Sequence, residues 1–316
     1  MVSDFQPTLS PDSLIPEAPE GFKSGFIGII GRPNVGKSTL MNQLVGQKIA
    51  ITSPVAQTTR NRLQGILTTD QAQMIFVDTP GIHKPHHQLG QVLVQNAKVA
   101  IRSVDVVLFL VDGSVPLGKG DRYIIDLLTD IPTPVLLGLN KIDQPMPDAA
   151  ATTQTYAEIA TAQQWAMTRF SALTGEGSPT LLQLLSDYLE PGPYYYPPNL
   201  VTDQPERFIM GELIREQILV HTREEVPHSV AIAIDRVDEE PTITRILATI
   251  HVERTSQKGI LIGKGGQMIK TIGSAAREQI QKLVMGKVYL ELFVRVQPKW
   301  RQSRTRLAEF GYQLDE

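Results

Sequence analysis

The chain contains no cysteine. That excludes disulfides, thiolate metal sites and cysteine nucleophiles, and it suits a reducing cytosol. No apolar run is long enough to span a bilayer. Met1 to Gly21 is rich in proline and acidic residues and lacks both the basic start and the apolar core of a secretion signal. Residues 1–22 are therefore expected to form a flexible leader. Net charge is small, at −3, so the total says little about partners.

What is present is ample. With 316 residues, 41% of them hydrophobic, the chain can build two domains with a sizeable core. Its charge is unevenly placed. Residues 1–205 carry 13 Lys and Arg against 18 Asp and Glu, whereas residues 254–306 carry 12 basic residues against 2 acidic ones. Such a basic cluster is the electrostatic footprint of a phosphate-backbone partner, or simply a solvated basic face.

The most informative stretch is Gly31-Arg32-Pro33-Asn34-Val35-Gly36-Lys37-Ser38, followed by Thr39. Two glycines five apart, then lysine and a hydroxyl residue, have phosphate-loop spacing. Phe26 to Ile30 reads as a buried strand before it, and Ser38 to Val45 as a helix after it. Backbone N–H groups then converge on phosphate oxygens at a helix N-terminus. Lys37 is expected to reach the β- and γ-phosphates, and the Ser38 hydroxyl to join a Mg²⁺ shell.

The next signals follow in order. Gln57-Thr58-Thr59-Arg60 lies before a strand near Leu63 to Leu67; a threonine here can offer a hydroxyl to Mg²⁺ and an N–H to a γ-phosphate, ordering only with the triphosphate. A strand over 73–77 ends in Asp78-Thr79-Pro80-Gly81. Asp78 is placed to hold a Mg²⁺ water, and Gly81 to bring its N–H near the γ-phosphate. Residues Ile82 to Leu89 read as mobile, and His83, His86 and His87 as solvated loop residues rather than metal ligands. A helix is expected over Gly90 to Ser103. After a strand over 106–111 and a helix near 121–128, the strand 134–139 ends in Asn140-Lys141-Ile142-Asp143. One aspartate can accept two parallel bonds from guanine N1–H and N2–H₂, which adenine lacks. Asn140 can fix the loop and the Lys141 stem can lie along the base. Ser171-Ala172-Leu173, after a strand over 167–170, offers a backbone N–H to guanine O6. Alternating strands and helices of this length predict a doubly wound, mostly parallel α/β sheet.

These five elements resemble the translation-factor-related GTPases over most of residues 23–190. The wording of 31–38, 58–60 and 78–81 resembles the bacterial assembly branch that holds the TrmE, Era and EngA types. The resemblance implies an α/β P-loop GTPase domain over 23–190, with Lys37, Thr59, Gly81 and Asn34 as the catalytic set. It implies a GTP/GDP site made of residues 31–39, 78–81, Asn140, Lys141, Asp143 and 171–173. It also implies Mg²⁺ held by Ser38, Thr59 and, through water, Asp78. Ras-type GTPases place a water-orienting glutamine after the glycine matching Gly81; Ile82 stands there instead. In some relatives K⁺, held partly by the asparagine matching Asn34, helps catalysis. Slow intrinsic hydrolysis, accelerated by K⁺ or a partner, is therefore expected.

Pro191-Gly192-Pro193-Tyr194-Tyr195-Tyr196-Pro197-Pro198 cannot continue a helix and reads as an extended linker over 191–205, its tyrosines packing on a domain surface. Residues 206–316 then show a helix (206–222), two alternating strands (229–237 and 242–252), a helix, Gly263-Lys264-Gly265-Gly266, a further helix, and a strand over 288–296. This order and its Gly-x-x-Gly resemble the type II KH RNA-binding module, a small α+β domain with a basic C-terminal extension. Lys258, Ile262, Gly263, Lys264, Gly265, Gly266, Lys270 and Arg277 are the RNA-binding candidates, and Lys299, Arg301, Arg304 and Arg306 follow the last strand.

A GTPase domain followed directly by a KH module is similar to the Era family. That resemblance implies a monomeric, cytoplasmic assembly factor of the small (30S) ribosomal subunit that binds single-stranded RNA near the 16S rRNA 3′ end. Two alternatives stay open: a signalling GTPase whose basic tract makes peripheral contact with the inner membrane, and a GTPase assisting RNA modification.

Overall fold

A computed structural model describes residues 15–52, 63–78, 101, 103–145, 148–223, 225–227, 229–303, 305, 306 and 310. The chain divides into two compact units, one of residues 1–48 and 62–203, the other of residues 49–61 and 204–316.

The first unit is built on a six-stranded sheet in the order β2-β3-β1-β4-β5-β6. The strands are β1 (Lys23–Gly31), β2 (Leu63–Thr68), β3 (Ala72–Asp78), β4 (Val106–Asp112), β5 (Val135–Asn140) and β6 (Ala166–Arg169). All pairs are parallel except β2 with β3. Every residue of β3, β4 and β5 is buried, as their near-continuous apolar sequences require of strands covered on both faces. Around the sheet lie α1 (Lys37–Val45), α2 (Lys119–Leu128), α3 (Ala149–Gln163) and α4 (Ser178–Tyr188). One core cluster joins Ile30, Phe109 and Val111 to Ile124 and Leu128 of α2 and Tyr156 of α3. A fully buried side chain of this kind contributes about 1.5–3 kcal/mol. The chain winds from β1 to β3 on one side and then to β4 and β5 on the other, so Gly31, Asp78, Asp112 and Asn140 end at one edge of the sheet, where ligands of such folds bind.

The tyrosines of the expected linker pack on this unit. Tyr194 lies 4.4 Å from Phe22 and Tyr195 lies 5.2 Å from Phe26, ring to ring. Buried Gln73 accepts the N–H groups of Tyr195 and Tyr196 and donates to the Tyr196 carbonyl. Ile66 N–H donates to Val201 O at 2.8 Å. The segment up to Asp203 thus belongs with the first unit rather than standing free.

The second unit contains α5 (Glu206–His221), β7 (Ala231–Glu240), β8 (Ile243–Val252), α6 (Thr255–Ile262), α7 (Gln267–Ile280) and β9 (Lys287–Val296). Its sheet runs β7-β8-β9, antiparallel then parallel. Ile209, Leu213, Ile214 and Ile218 of α5 are buried, as are Ile272, Ala276 and Ile280 of α7. Trp300, 2% exposed, closes the unit and donates its indole N–H to Ser229 O at 3.2 Å. Residues Ile49–Thr52 group here too: the Thr52 N–H donates to Oε1 of buried Glu216 at 2.8 Å.

Most observed strands and helices begin and end within about two residues of the sequence reading, the usual scatter of such boundaries, whereas β1 begins three residues earlier and β7 ends three residues later than read. The expected switch residues Thr58 and Thr59, Thr79 to Leu89 including Gly81, Ile82 and the three histidines, most of the helix over 90–103, and Arg304 lie outside the described residues.

Candidate nucleotide and nucleic-acid sites

The turn from β1 into α1 has the backbone of a phosphate cradle. Asn34 is exposed with φ 65°, and Gly36 caps α1 with φ 104°. A Cβ at Gly36 would stand 2.3 Å from Asn140 Nδ2, so only glycine fits. Lys37 is 8% exposed, and its ammonium donates to Arg32 O at 3.1 Å and Gly31 O at 3.4 Å. Burial pushes the Lys37 pKa down, and the nearby Asp78 charge offsets part of that. Such an ammonium is poised to exchange weak carbonyl partners for phosphate oxygens.

Ser38 Oγ donates to Asp78 Oδ2 at 3.2 Å. A hydroxyl and a fully buried carboxylate side by side are an all-oxygen donor set, the kind that suits Mg²⁺. Thr39 follows on α1, half-buried.

Arg32 turns toward α2. Its Nε donates to Oδ1 of Asp121 at 2.6 Å, in the first turn of α2, and its stem passes so close to Gly120 that a Cβ there would meet Arg32 Cδ at 2.5 Å. The sequence reading missed Asp121; nothing near it in the chain marks it.

Three loops meet at Asn140, which is 1% exposed. Its Nδ2 donates to Val35 O of the phosphate loop at 2.8 Å, and its Oδ1 accepts the Ala172 N–H at 2.8 Å. Asn140 therefore fixes the loop as expected. In the loop expected to offer a backbone N–H to guanine O6, the Ala172 N–H is held by Asn140, and the Leu173 N–H makes a longer bond of 3.2 Å to Ser171 Oγ. Leu173 is 73% exposed beside this loop, an apolar side chain available to cover a base. Lys141, at φ 66°, directs its ammonium to Asp112 Oδ2 at 2.6 Å. Burial raises the Asp112 pKa, but the bonds from Lys141 and from the Ser114 hydroxyl and N–H outweigh it and hold the carboxyl below its ordinary value. Asp143 stands half-buried just after this pair.

In the second unit α6 ends at Gly263, where φ 71° and ψ 177° turn the chain, and a Cβ would meet Met268 Cβ at 2.7 Å. Gly265 and Gly266 have nothing within 4 Å of a built Cβ, so their outer side is open to an approaching backbone. An open cleft of about 740 Å³ begins there, lined by Lys264, Gly265, Gly266, Lys270, Thr271 and Glu278 among others. Of the RNA candidates, Lys264, Gly265, Gly266 and Lys270 thus share one cleft, whereas Lys258, Ile262, Gly263 and Arg277 are not on its wall. Arg301 pairs with Glu253, the residue after β8.

Residues 26–141 match the family model of the 50S ribosome-binding GTPases, and residues 225–301 match the KH domain. The chain is 74% identical to GTPase Era of Nostoc sp. over 98% of its own length and 95% of the relative's. The chain belongs to the Era family of GTPases. GTPase Era of Synechocystis sp. is 63% identical, with 99% of this chain and 100% of the relative covered. A crystal structure of Era in complex with MgGDPNP and nucleotides 1506–1542 of 16S ribosomal RNA matches at TM-score 0.84 and 37% identity, covering 93% of this chain and 100% of that one. An Aquifex aeolicus Era variant bound to GDP and AlF₄⁻ matches equally well, at TM-score 0.84. Era membership joins the two halves of the sequence reading, a P-loop GTPase domain and a C-terminal KH domain, in one chain.

Proposed function

We propose that this Era-family GTPase is a GTP-hydrolysing assembly factor of the small (30S) ribosomal subunit whose KH module binds single-stranded RNA near the 3′ end of 16S rRNA. One observation carries the reading: over 93% of its length the chain shares the fold of an Era protein seen with both MgGDPNP and a 16S rRNA segment. The residues support it from two sides, an assembled loop of phosphate-cradle geometry and a cleft lined by glycines and lysines.

In this reading the phosphate-loop N–H groups and Lys37 hold the β- and γ-phosphates, and Asp143 reads guanine N1–H and N2–H₂. Ser38 and, through water, Asp78 would hold Mg²⁺ together with Thr59; bound there, the ion would neutralise charge on the phosphate oxygens. Gly81 would offer its N–H to the γ-phosphate. Asn34, exposed at the outer edge of the loop, is the proposed K⁺ ligand. With Ile82 in place of a glutamine, intrinsic turnover is slow and is raised by K⁺, RNA or the ribosomal particle. Gly265 and Gly266 admit the RNA backbone while Lys264 and Lys270 meet its phosphates. GTP orders the Thr58/Thr59 and 82–89 segments and makes the KH module competent for RNA; hydrolysis reverses this. The protein acts as a cytoplasmic monomer, and no described helix is long and apolar enough to cross a membrane.

The basic tract is also what an anionic membrane surface would meet, so the test carries both arms. The full chain is titrated with a fluorescent oligonucleotide of the 16S 3′ end, in GDP or a non-hydrolysable GTP analogue, against unrelated RNA and anionic vesicles. The expected result is tighter binding with the GTP analogue and competition by neither rival at equal concentration. Equal displacement by unrelated RNA or by vesicles would overturn the reading.

A further inference from the structure

Helix α1 begins at the phosphate loop, and two turns later it touches the loop that follows β6. Half-buried Gln43 accepts the Ser178 hydroxyl through Oε1 at 3.1 Å. Its Nε2 lies against Gly175, where a Cβ would stand only 3.0 Å away. Ser178 is itself buried and opens α4. Between these anchors the chain closes on itself: Ser171 N–H donates to Glu176 O, and Gly175 N–H donates to Ser171 O, both at 2.9 Å. Asn140 grips the same loop at Ala172.

The loop over 171–177 is therefore held from two directions, by Asn140 at its start and by Gln43 at its end. We propose that Gln43 is a positioning residue for guanine recognition: it sets the height of the 171–173 backbone against the base edge. It does so from the helix that presents Lys37 and Ser38 to the phosphates, six residues and about 9 Å of helix away. Phosphate and base subsites are thereby referenced to one rigid element. The proposal rests on the reading that a backbone N–H of this loop faces guanine O6.

The test compares GDP with the diphosphate of 2-aminopurine riboside, whose ring lacks O6 and which reports its own binding by fluorescence. In Gln43→Ala, GDP affinity is expected to fall about tenfold with a faster off-rate, while the 2-aminopurine nucleotide changes by less than twofold. Gln43→Glu, which keeps an acceptor for the Ser178 hydroxyl, restores most of the GDP affinity, and Ser178→Ala reproduces the selective loss. Equal losses for both nucleotides, or none for GDP, overturn the assignment. Asp143→Asn separates this from the parent reading. That variant should lose GDP and gain xanthosine diphosphate, whose O2 can accept from the new amide. If its GDP affinity were unchanged, base recognition itself would lie elsewhere and the role of Gln43 would fall with it.

Discussion

Arg32 of the phosphate loop and Asp121 of α2 form an ion pair of 2.6 Å, with the Asp121 side chain fully buried and Arg32 27% exposed. The Asp121 carboxylate also accepts the Gly118 N–H at 3.0 Å, closing the first turn of α2. Burial and the Asp121 charge push the hydroxyl of neighbouring Tyr156 above its ordinary value, which keeps that ring neutral. Arg32 thus anchors the phosphate loop to α2.

Removing Arg32 strands a buried carboxylate. Arg32→Ala should destabilise the nucleotide-free first unit by about 3 kcal/mol, the low end for a broken buried pair because Arg32 is partly exposed. Urea unfolding of single and double variants measures this. Adding Asp121→Ala is expected to cost less than the sum of the single changes, since no charge is then left unpaired.

Gly36→Ala sets a methyl against the Asn140 amide and places an alanine at φ 104°. Backbone strain of this kind costs about 1–3 kcal/mol, and the displaced amide would release both Val35 and Ala172. Nucleotide binding by calorimetry is expected to be lost at a temperature where circular dichroism still shows the folded sheet.

The lowered pKa of Lys37 gives a pH dependence with a definite sign. The folded, nucleotide-free protein releases this proton below the ordinary 10.5, so between the lowered value and 10.5 the unfolded chain binds more protons and apo stability contributed by this group rises with pH. A bound phosphate needs the ammonium, so GDP affinity should fall over the same window with proton uptake. Calorimetry in buffers of different ionisation enthalpy detects that uptake, and Lys37→Met should abolish it.

On the second unit, Lys264→Ala and Lys270→Ala should each weaken RNA binding across sequences. Each should also reduce the slope of log affinity against log salt by about 0.7, the value for one single-strand phosphate. Guanine nucleotide affinity in the same proteins is expected to stay unchanged. The measurement is anisotropy of a labelled oligonucleotide over a salt series.

Much of this is legible in the sequence. The phosphate loop, Asn140 to Asp143 and Gly263 to Gly266 are short contiguous stretches, and their groups converge because neighbouring residues of one turn must. Strand and helix positions could be read from apolar periodicity, since β3 to β5 are buried on both faces and α7 on one. Ser171 to Leu173 is a contiguous stretch too, but nothing in it shows that the Ala172 N–H is bonded to Asn140, 32 residues away.

That difference marks the boundary between the two kinds of information. By itself the sequence determined that a P-loop GTPase domain is followed by a glycine-bearing KH module, because the stretches that mark them are short and set by local chain geometry. Only the tertiary structure decided how the subsites are held. Arg32 pairs with Asp121 across 89 residues, Asn140 with Val35 across 105, and Gln43 with Ser178 across 135. Their partners are set by the order β1-β4-β5-β6, which brings distant helix starts and loops to one edge of the sheet, and no local pattern encodes which side chain will stand there.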